Sequence, residues 1–322
     1  MPVMSSRRGD AISRRSVLAG GLGLATTSML GLGPAPARAD SATVHRFKHG
    51  AAEIIVVSDG HIVMPKRLLT TEANATERDA ILASLGQTGE MMERPTNVTL
   101  IRSGSDLVLI DTGAGPNFMA TTGRLLANLD AAGVGADAVT KVVFTHGHPD
   151  HLWGALDDFE ENPRFPNATH YFGAAEWDFW ASDNAERGIS ADRSAYIPAA
   201  RRTMKGIEGK TQRVKDGDDI LPGLHVLATP GHTQGHVSLA LAAGSETLVV
   251  IGDALIHPVV SFAHPDWRTE LDHEPERAVA TRKALLDRLA TDKALVIGYH
   301  LPFPGLGRVE RKDGTYRYVG GA

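Results

Sequence analysis

The fold class this chain predicts is α/β: a sandwich of two β-sheets with helices on the outer faces. Three observations predict it. Apolar runs of strand length fall into two groups, before and after a helix-rich middle. Within the first group, residues 107–110, 125–129 and 141–145 read as strand, helix and strand, which implies a βαβ crossover. Side chains able to bind metal stand just past the ends of several apolar runs, where α/β folds gather their chemistry.

Taken in order, residues 54–57 form a strand that closes at Ser58-Asp59-Gly60. Residues 70–93 are polar with helical spacing and are expected to cover an edge. Residues 98–101 and 107–110 flank Ser103-Gly104-Ser105-Asp106, the connection of a hairpin, and the second strand ends at Asp111-Thr112-Gly113. Leu125, Leu126 and Leu129 mark a helix that stops near Gly133. Residues 168–172 read as a short strand, and residues 174–209 as a helical region broken by Asn184, Gly188 and Pro198, a candidate cap over a site. Its arginines (Arg187, Arg193, Arg201, Arg202) read as a solvated helix face. Strands at 224–228, 237–241 and 247–251, an amphipathic helix over 276–289 and a buried strand at 294–297 complete the second half. No repeat or linker divides it.

A content of 42% hydrophobic and 22% charged residues suits a folded domain with an ample core. The net charge of −5 gives no basis for nucleic-acid or anionic-membrane partners. The N-terminus differs in kind. Ser13-Arg14-Arg15-Ser16-Val17-Leu18 precedes a Gly/Ala/Leu run over 19–32 that is short and glycine-rich for a membrane span, and Ala37-Arg38-Ala39 offers a small-x-small cleavage site. This resembles a twin-arginine export signal over residues 1–39, cleaved to leave a single catalytic domain, 40–322, in the periplasm or secreted. With no cysteine there is no disulfide framework and no lipid-modified thiol to tether the mature chain. Export of a folded chain suits a protein that must load metal before leaving the cytoplasm.

Chemistry is concentrated in Thr145-His146-Gly147-His148-Pro149-Asp150-His151, directly after the apolar Val142-Val143-Phe144. In extended backbone His146 and His148 project to one side and can grip one cation, while Asp150 and His151, past a Pro-containing bend, can reach a second. His232 in Thr229-Pro230-Gly231-His232-Thr233, Asp253 after Val249-Val250-Ile251-Gly252, and His300 after residues 295–297 are three more ligand-type residues at strand ends. Their repetition suggests convergence on one rim. His236, His170, His225 and His257 read as structural.

With these residues the chain resembles the metallo-β-lactamase superfamily over residues 54–319, nearly all of the mature chain. The methyl parathion hydrolase-like branch is the nearest match, through Ser58-Asp59-Gly60, Leu109-Ile110-Asp111-Thr112-Gly113-Ala114, Gly123-Arg124-Leu125 and His300-Leu301-Pro302-Phe303-Pro304-Gly305. The resemblance implies the αββα sandwich of that superfamily. It also implies that His146, His148 and His232 bind one divalent ion, that Asp150, His151 and His300 bind another, and that Asp253 bridges. Imidazole at position 148, where di-iron oxygen-reducing relatives carry a carboxylate, favours Zn2+. Two cations roughly 3.5–4 Å apart can share a water, bring its pKa toward neutrality and polarise an electrophile's oxygen. Asp150 and Asp253, with that bridging hydroxide, are then the catalytic groups, and Asp111 is a candidate acceptor for a ligand imidazole.

The expected activity is therefore zinc-dependent hydrolysis of small neutral esters, lactones or organophosphate triesters. The alternative on the same fold is a β-lactamase or a thioester hydrolase of glyoxalase II type. A purely structural metal site is disfavoured because these ligands leave positions open for water. Phe118, Trp180 and Tyr196 are candidate pocket aromatics. Neutral substrates are expected because the four ligand-bearing stretches contain no Lys or Arg and offer Trp153, Leu255 and Phe303 instead. No membrane partner is expected after signal cleavage, and a homodimer is left open.

Overall fold

Neighbouring residues of one strand enter different cores. Ile54 and Val56 face one apolar layer, Ile55 and Val57 another, and all four are fully buried. Period-two side-chain geometry gives this result when a strand lies inside a layered fold with apolar partners on both faces. The computed structural model describes residues 43–157, 159 and 161–321. The export-signal reading of residues 1–39 lies outside them.

The first sheet runs in chain order: β1 (Val44–His49), β2 (Ala52–Pro65), β3 (Met91–Ser103), β4 (Asp106–Ile110), β5 (Lys141–Phe144), β6 (Thr169–Gly173) and β7 (Thr211–Val214). It is antiparallel through β4 and parallel from β4 to β7. The second sheet holds β8 (Asp219–Leu221), β9 (Leu224–Ala228), β10 (Val237–Ala243), β11 (Glu246–Val250), β12 (Leu295–Ile297), β13 (Leu306–Lys312) and β14 (Thr315–Gly320), also in chain order. Of its described pairs β11–β12 alone is parallel. The helices are α1 (Ala75–Ser84), α2 (Leu125–Ala131), α3 (Pro149–Leu152), α4 (Ala174–Ala181), α5 (Asn184–Gly188), α6 (Tyr196–Ile207), α7 (Val260–Ala263) and α8 (Pro275–Asp292).

Three apolar layers hold these parts together. Between the sheets, Ile54, Val56, Val108 and Val143 meet Val226, Leu239, Leu248 and Ile297. On the outer face of the first sheet, Leu100, Leu109, Phe144 and Phe172 pack under Leu125, Leu129, Trp177 and Met204. On the outer face of the second, Val249 and Val296 pack against Leu285, Leu286 and Leu289 of α8. This is the α/β arrangement of two mixed seven-stranded sheets with helices outside that the sequence predicts. Among the described residues no helix is long and apolar enough to cross a membrane.

Two segments differ from expectation. Residues 70–93 were expected to be helical, but the helix α1 stops at Ser84 and β3 begins at Met91. There Met92, Arg94 and Thr96 are buried while Met91 and Glu93 are exposed. The alternation is that of a strand, and a buried arginine hides it from a hydrophobicity reading. The C-terminal hairpin β13–β14 is also unforeseen. Its outer half carries Glu310, Arg311, Lys312 and Arg317, the charged character by which exposed edge strands avoid pairing with other chains.

Candidate metal centre

Each ligand-type residue stands beyond the C-terminal end of a strand. Asp111 follows β4, Thr145 to His151 follow β5, His232 follows β9, Asp253 follows β11 and His300 follows β12. The parallel pairs β4–β5 and β11–β12 discharge these loops at the same edge of their sheets. Pro149 opens α3, so the chain turns after His148 and returns Asp150 and His151 toward His146. Gly147 allows this loop to lie on Trp180, since a Cβ there would sit 2.3 Å from the indole nitrogen.

The side chains form two donor sets. His146 Nε2 and His232 Nε2 each lie 3.0 Å from His148 Nδ1. Asp150 Oδ2 lies 3.3 Å from His300 Nε2 and 3.5 Å from His151 Nε2. Asp253 faces both sets: Oδ1 is 3.2 Å from His151 Nε2, and Oδ2 is 3.4 Å from His232 Nε2 and 3.2 Å from His300 Nε2. All seven are buried, yet Asp150 Oδ2, His151 Nε2 and Asp253 Oδ1 have no hydrogen-bond partner. Converging, orphaned N and O donors of this kind fit divalent metal.

The outward-facing ligand atoms are tied down. Asp111 Oδ2 is 2.8 Å from His151 Nδ1, and the same carboxylate accepts from the Thr145 amide and hydroxyl. His232 Nδ1 meets Asp272 Oδ1 at 3.0 Å, and Arg282 donates to the other oxygen of Asp272 at 3.0 Å. His300 Nδ1 donates to the Pro95 carbonyl at 2.7 Å. Such contacts fix tautomer and ring orientation. His236 is not among the ligands. Its Nε2 accepts from the Asp253 amide at 2.9 Å and so positions the backbone of the shared carboxylate.

Electrostatics suit cation binding at His146 and His148, whereas at His151 the carboxylates of Asp150, Asp253 and Asp111 outweigh burial and hold the imidazole well above its ordinary value. Burial and neighbouring imidazoles hold His146 and His148 well below the ordinary histidine value, so both present lone pairs at neutral pH. Burial opposes ionisation of Asp253, but His300 and His151 outweigh it and hold that carboxyl well below its ordinary value.

The comparisons with known proteins agree with this geometry. Residues 91–300 match the model of the Metallo-beta-lactamase superfamily. The chain belongs to that superfamily. It is 32% identical over 199 residues to Metallo-beta-lactamase domain-containing protein 1 of Xenopus laevis, covering 62% of this chain and 69% of that one. To the N-acyl homoserine lactonase AiiB of Agrobacterium fabrum it is 23% identical over 203 residues, covering 57% and 71%. Among solved structures it superposes on AidC, a dizinc quorum-quenching lactonase, with TM-score 0.81 and 29% identity over 87% of this chain and 97% of that chain. The hydrolase AbOPH gives 0.79 and 30% over 86% and 97%.

This metallo-hydrolase has a cavity beside the candidate ligands. The cavity is about 250 Å³, floored by His148, Asp150, His232, Asp253 and His300. Phe118 and Tyr196 line it, their rings 6.4 Å apart and edge to face. Trp180 does not. It is fully buried, donates from Nε1 to Glu176 at 2.7 Å and supports the ligand loop from beneath. Trp153, Leu255 and Phe303, expected at the rim, also sit elsewhere: Trp153 buttresses Phe118, Leu255 belongs to the outer core of the second sheet, and the half-buried Phe303 packs against the core between the sheets. Ile62, Val63, Met64 and Leu271 supply apolar wall instead. Of the 174–209 segment, Asp192, Arg193 and Tyr196 reach the cavity.

The reading that no cation flanks the ligands needs correction. Arg94 of β3 is 3% exposed, lines the cavity and brings Nη2 to 3.7 Å from Asp253 Oδ2. A strand distant in sequence delivers it, so the ligand-bearing stretches could not reveal it. Asp272, Arg282, His273 and Tyr299 were also missed. His273 Nε2 lies 3.0 Å from His148 Nε2, and Tyr299 donates its hydroxyl to the Asp150 carbonyl at 2.5 Å. None carries a motif by which sequence alone could flag it.

Proposed function

We propose that this metallo-hydrolase is a dinuclear zinc enzyme that cleaves small esters and lactones, with organophosphate triesters as further substrates. The observation that carries the reading is Asp253, one carboxylate facing two buried donor sets in which Asp150 Oδ2, His151 Nε2 and Asp253 Oδ1 itself lack partners. Two divalent ions held there would polarise the substrate carbonyl and lower the pKa of a water shared between them.

The chain's own groups do the rest. Asp253 fixes the separation of the two sets, and Asp111 and Asp272 keep His151 and His232 aimed inward. Phe118, Tyr196 and Met64 hold the apolar part of the substrate against the ligands. Asp150, on the cavity wall, carries a proton from water to the departing oxygen. Lactones lead among the substrates because AidC and AiiB are lactonases. The methyl parathion hydrolase-like placement rests on the motifs at residues 58–60, 109–114 and 300–305. Export to the periplasm through a cleaved twin-arginine signal belongs to the same proposal, and N-terminal sequencing of the exported protein tests it.

The test of activity is a metal-quantified kinetic screen against an aryl ester, a γ-lactone, a phosphotriester, a penicillin and a thioester. Two ions per chain and highest kcat/KM on the ester or lactone are expected. One ion per chain, or a preference for the penicillin or thioester, would overturn the proposal.

A further inference from the structure

Three arginines line the cavity among the described residues, and two are already engaged. Arg67 pairs with Glu270 at 3.0 Å, while Arg193 donates to the Ser190 hydroxyl at 3.0 Å and the Glu270 carbonyl at 2.6 Å. Arg94 is different. Its one hydrogen bond is a weak 3.4 Å contact from Nη1 to the Met64 sulfur, and its Nε and Nη2 have no partner although the side chain is only 4% exposed. Buried guanidinium N–H groups left unpaired are costly, so the fold keeps Arg94 for something that arrives from outside it.

Asp253 does not satisfy it. At 3.7 Å the pair is beyond hydrogen-bond length, and Asp253 is the carboxylate that faces both donor sets. Two divalent ions bring four positive charges against two ligand carboxylates, Asp150 and Asp253. The two carboxylates then face the ions, and Arg94 adds a further positive charge at the same cavity. Such a pocket binds an anion better than a neutral molecule.

Hydrolysis makes an anion in that place. Water's oxygen bonds to the acyl carbon, the acyl C–O bond breaks with its electron pair going to the alkoxy oxygen, one proton of water ends on that oxygen, and the other is released. The acyl group becomes a carboxylate. We propose that Arg94 is a specificity-determining residue whose guanidinium binds this carboxylate and the oxyanion that precedes it. The inference rests on reading the cavity as an ester or lactone hydrolase site. It reconciles an uncharged substrate with a buried cation: the guanidinium discriminates little for the neutral ester and strongly for what the ester becomes.

The test uses zinc-loaded full-length protein, Arg94→Met and Arg94→Lys, with metal content measured for each. Hexanoate binding is read by calorimetry and as competitive inhibition of 4-nitrophenyl hexanoate hydrolysis. In Arg94→Met, hexanoate is expected to bind about tenfold or more weakly, with kcat lowered and KM for the ester moved less than about threefold. Arg94→Lys should restore part of both. If Arg94→Met loses metal, the comparison is made on Arg94→Lys, which keeps the charge but not the paired donors and should still bind hexanoate more weakly than wild type. Hexanoate affinity within about twofold of wild type in every variant holding full metal overturns the inference. Calorimetry needs no turnover, so an enzyme inactive on esters yet dependent on Arg94 for hexanoate would overturn the substrate reading alone.

Discussion

The Asp111 carboxylate lies 2.8 Å from His151 Nδ1 while also accepting from the Thr145 amide at 2.7 Å. One acidic side chain thus joins the end of β4 to the loop after β5 and aims an imidazole at the centre between the sheets. Asp111 holds φ of 64°, a left-handed conformation that asparagine tolerates as well. Asp111→Asn should therefore preserve the backbone and remove the charge. Metal affinity at the Asp150–His151–His300 set should fall by about 10–100-fold, measured by competition with a chromophoric chelator. Unchanged affinity would mean that Thr145, not His151, is the partner that matters.

Asp253→Ala removes the carboxylate both donor sets face. Turnover should fall by about 10³-fold or more and bound metal below two ions per chain, with far-UV circular dichroism retained. Activity within about tenfold of wild type would refute the shared role of Asp253. Loss of the dichroism signal would show the metal to be structural.

Asp59 is a structural counterpart. Its carboxylate accepts from the amides of Ala114 and Leu125 at 2.8 Å and of Gly123 at 3.2 Å, tying three turns of backbone together. Asp59→Asn places an amide NH2 against at least one of these donors. Each frustrated donor should cost about 1–3 kcal/mol, read from urea unfolding of the metal-replete protein.

His170 sets part of the acid limit of the fold. It is fully buried, stacks on Phe144 and has neither ring nitrogen paired. Burial, helped by Lys210, lowers its pKa from 6.5 to about 4. The unfolded chain then binds more protons than the folded one between those values, so this group removes stability as pH falls from 6.5 toward 4. His170→Leu should recover up to about 3 kcal/mol at the acid end relative to wild type, and lose nothing at pH 8. A constant difference between the two proteins across pH 4–8 would contradict this.

Trp180 and Tyr196 should part company on substitution. Trp180→Phe loses the indole hydrogen bond to Glu176 and should lower Tm, at a cost of about 1–3 kcal/mol, with KM little changed if metal content holds. Tyr196→Ala opens the cavity wall and should raise KM with little change in Tm. The reverse pattern would return Trp180 to the pocket.

The seven ligand-type residues were legible in the sequence because each sits beside an apolar run, and strand ends are where backbone order gives way to loops that can point inward. The two-sheet sandwich was legible for the related reason that strands buried on both faces read as continuous apolar runs, as residues 54–57 and 107–110 do. Asp111 could be singled out because it closes such a run. What the sequence could not supply was proximity between strands far apart in the chain. Arg94 directly follows the polar stretch 70–93 that reads as helix, and only the long β2–β3 pairing turns it inward, beside an aspartate that follows β11. Asp272 and His273 reach His232 and His148 from the segment before α8, and Arg282 of α8 holds Asp272. Trp180 moved from the pocket to the floor because an indole carries both an apolar ring and a donor, and whether it lines a cavity or fills a core depends on whether Glu176 and a Cβ-less Gly147 lie within reach. Local pattern fixed which residues could bind metal; packing decided which charges share the cavity with it.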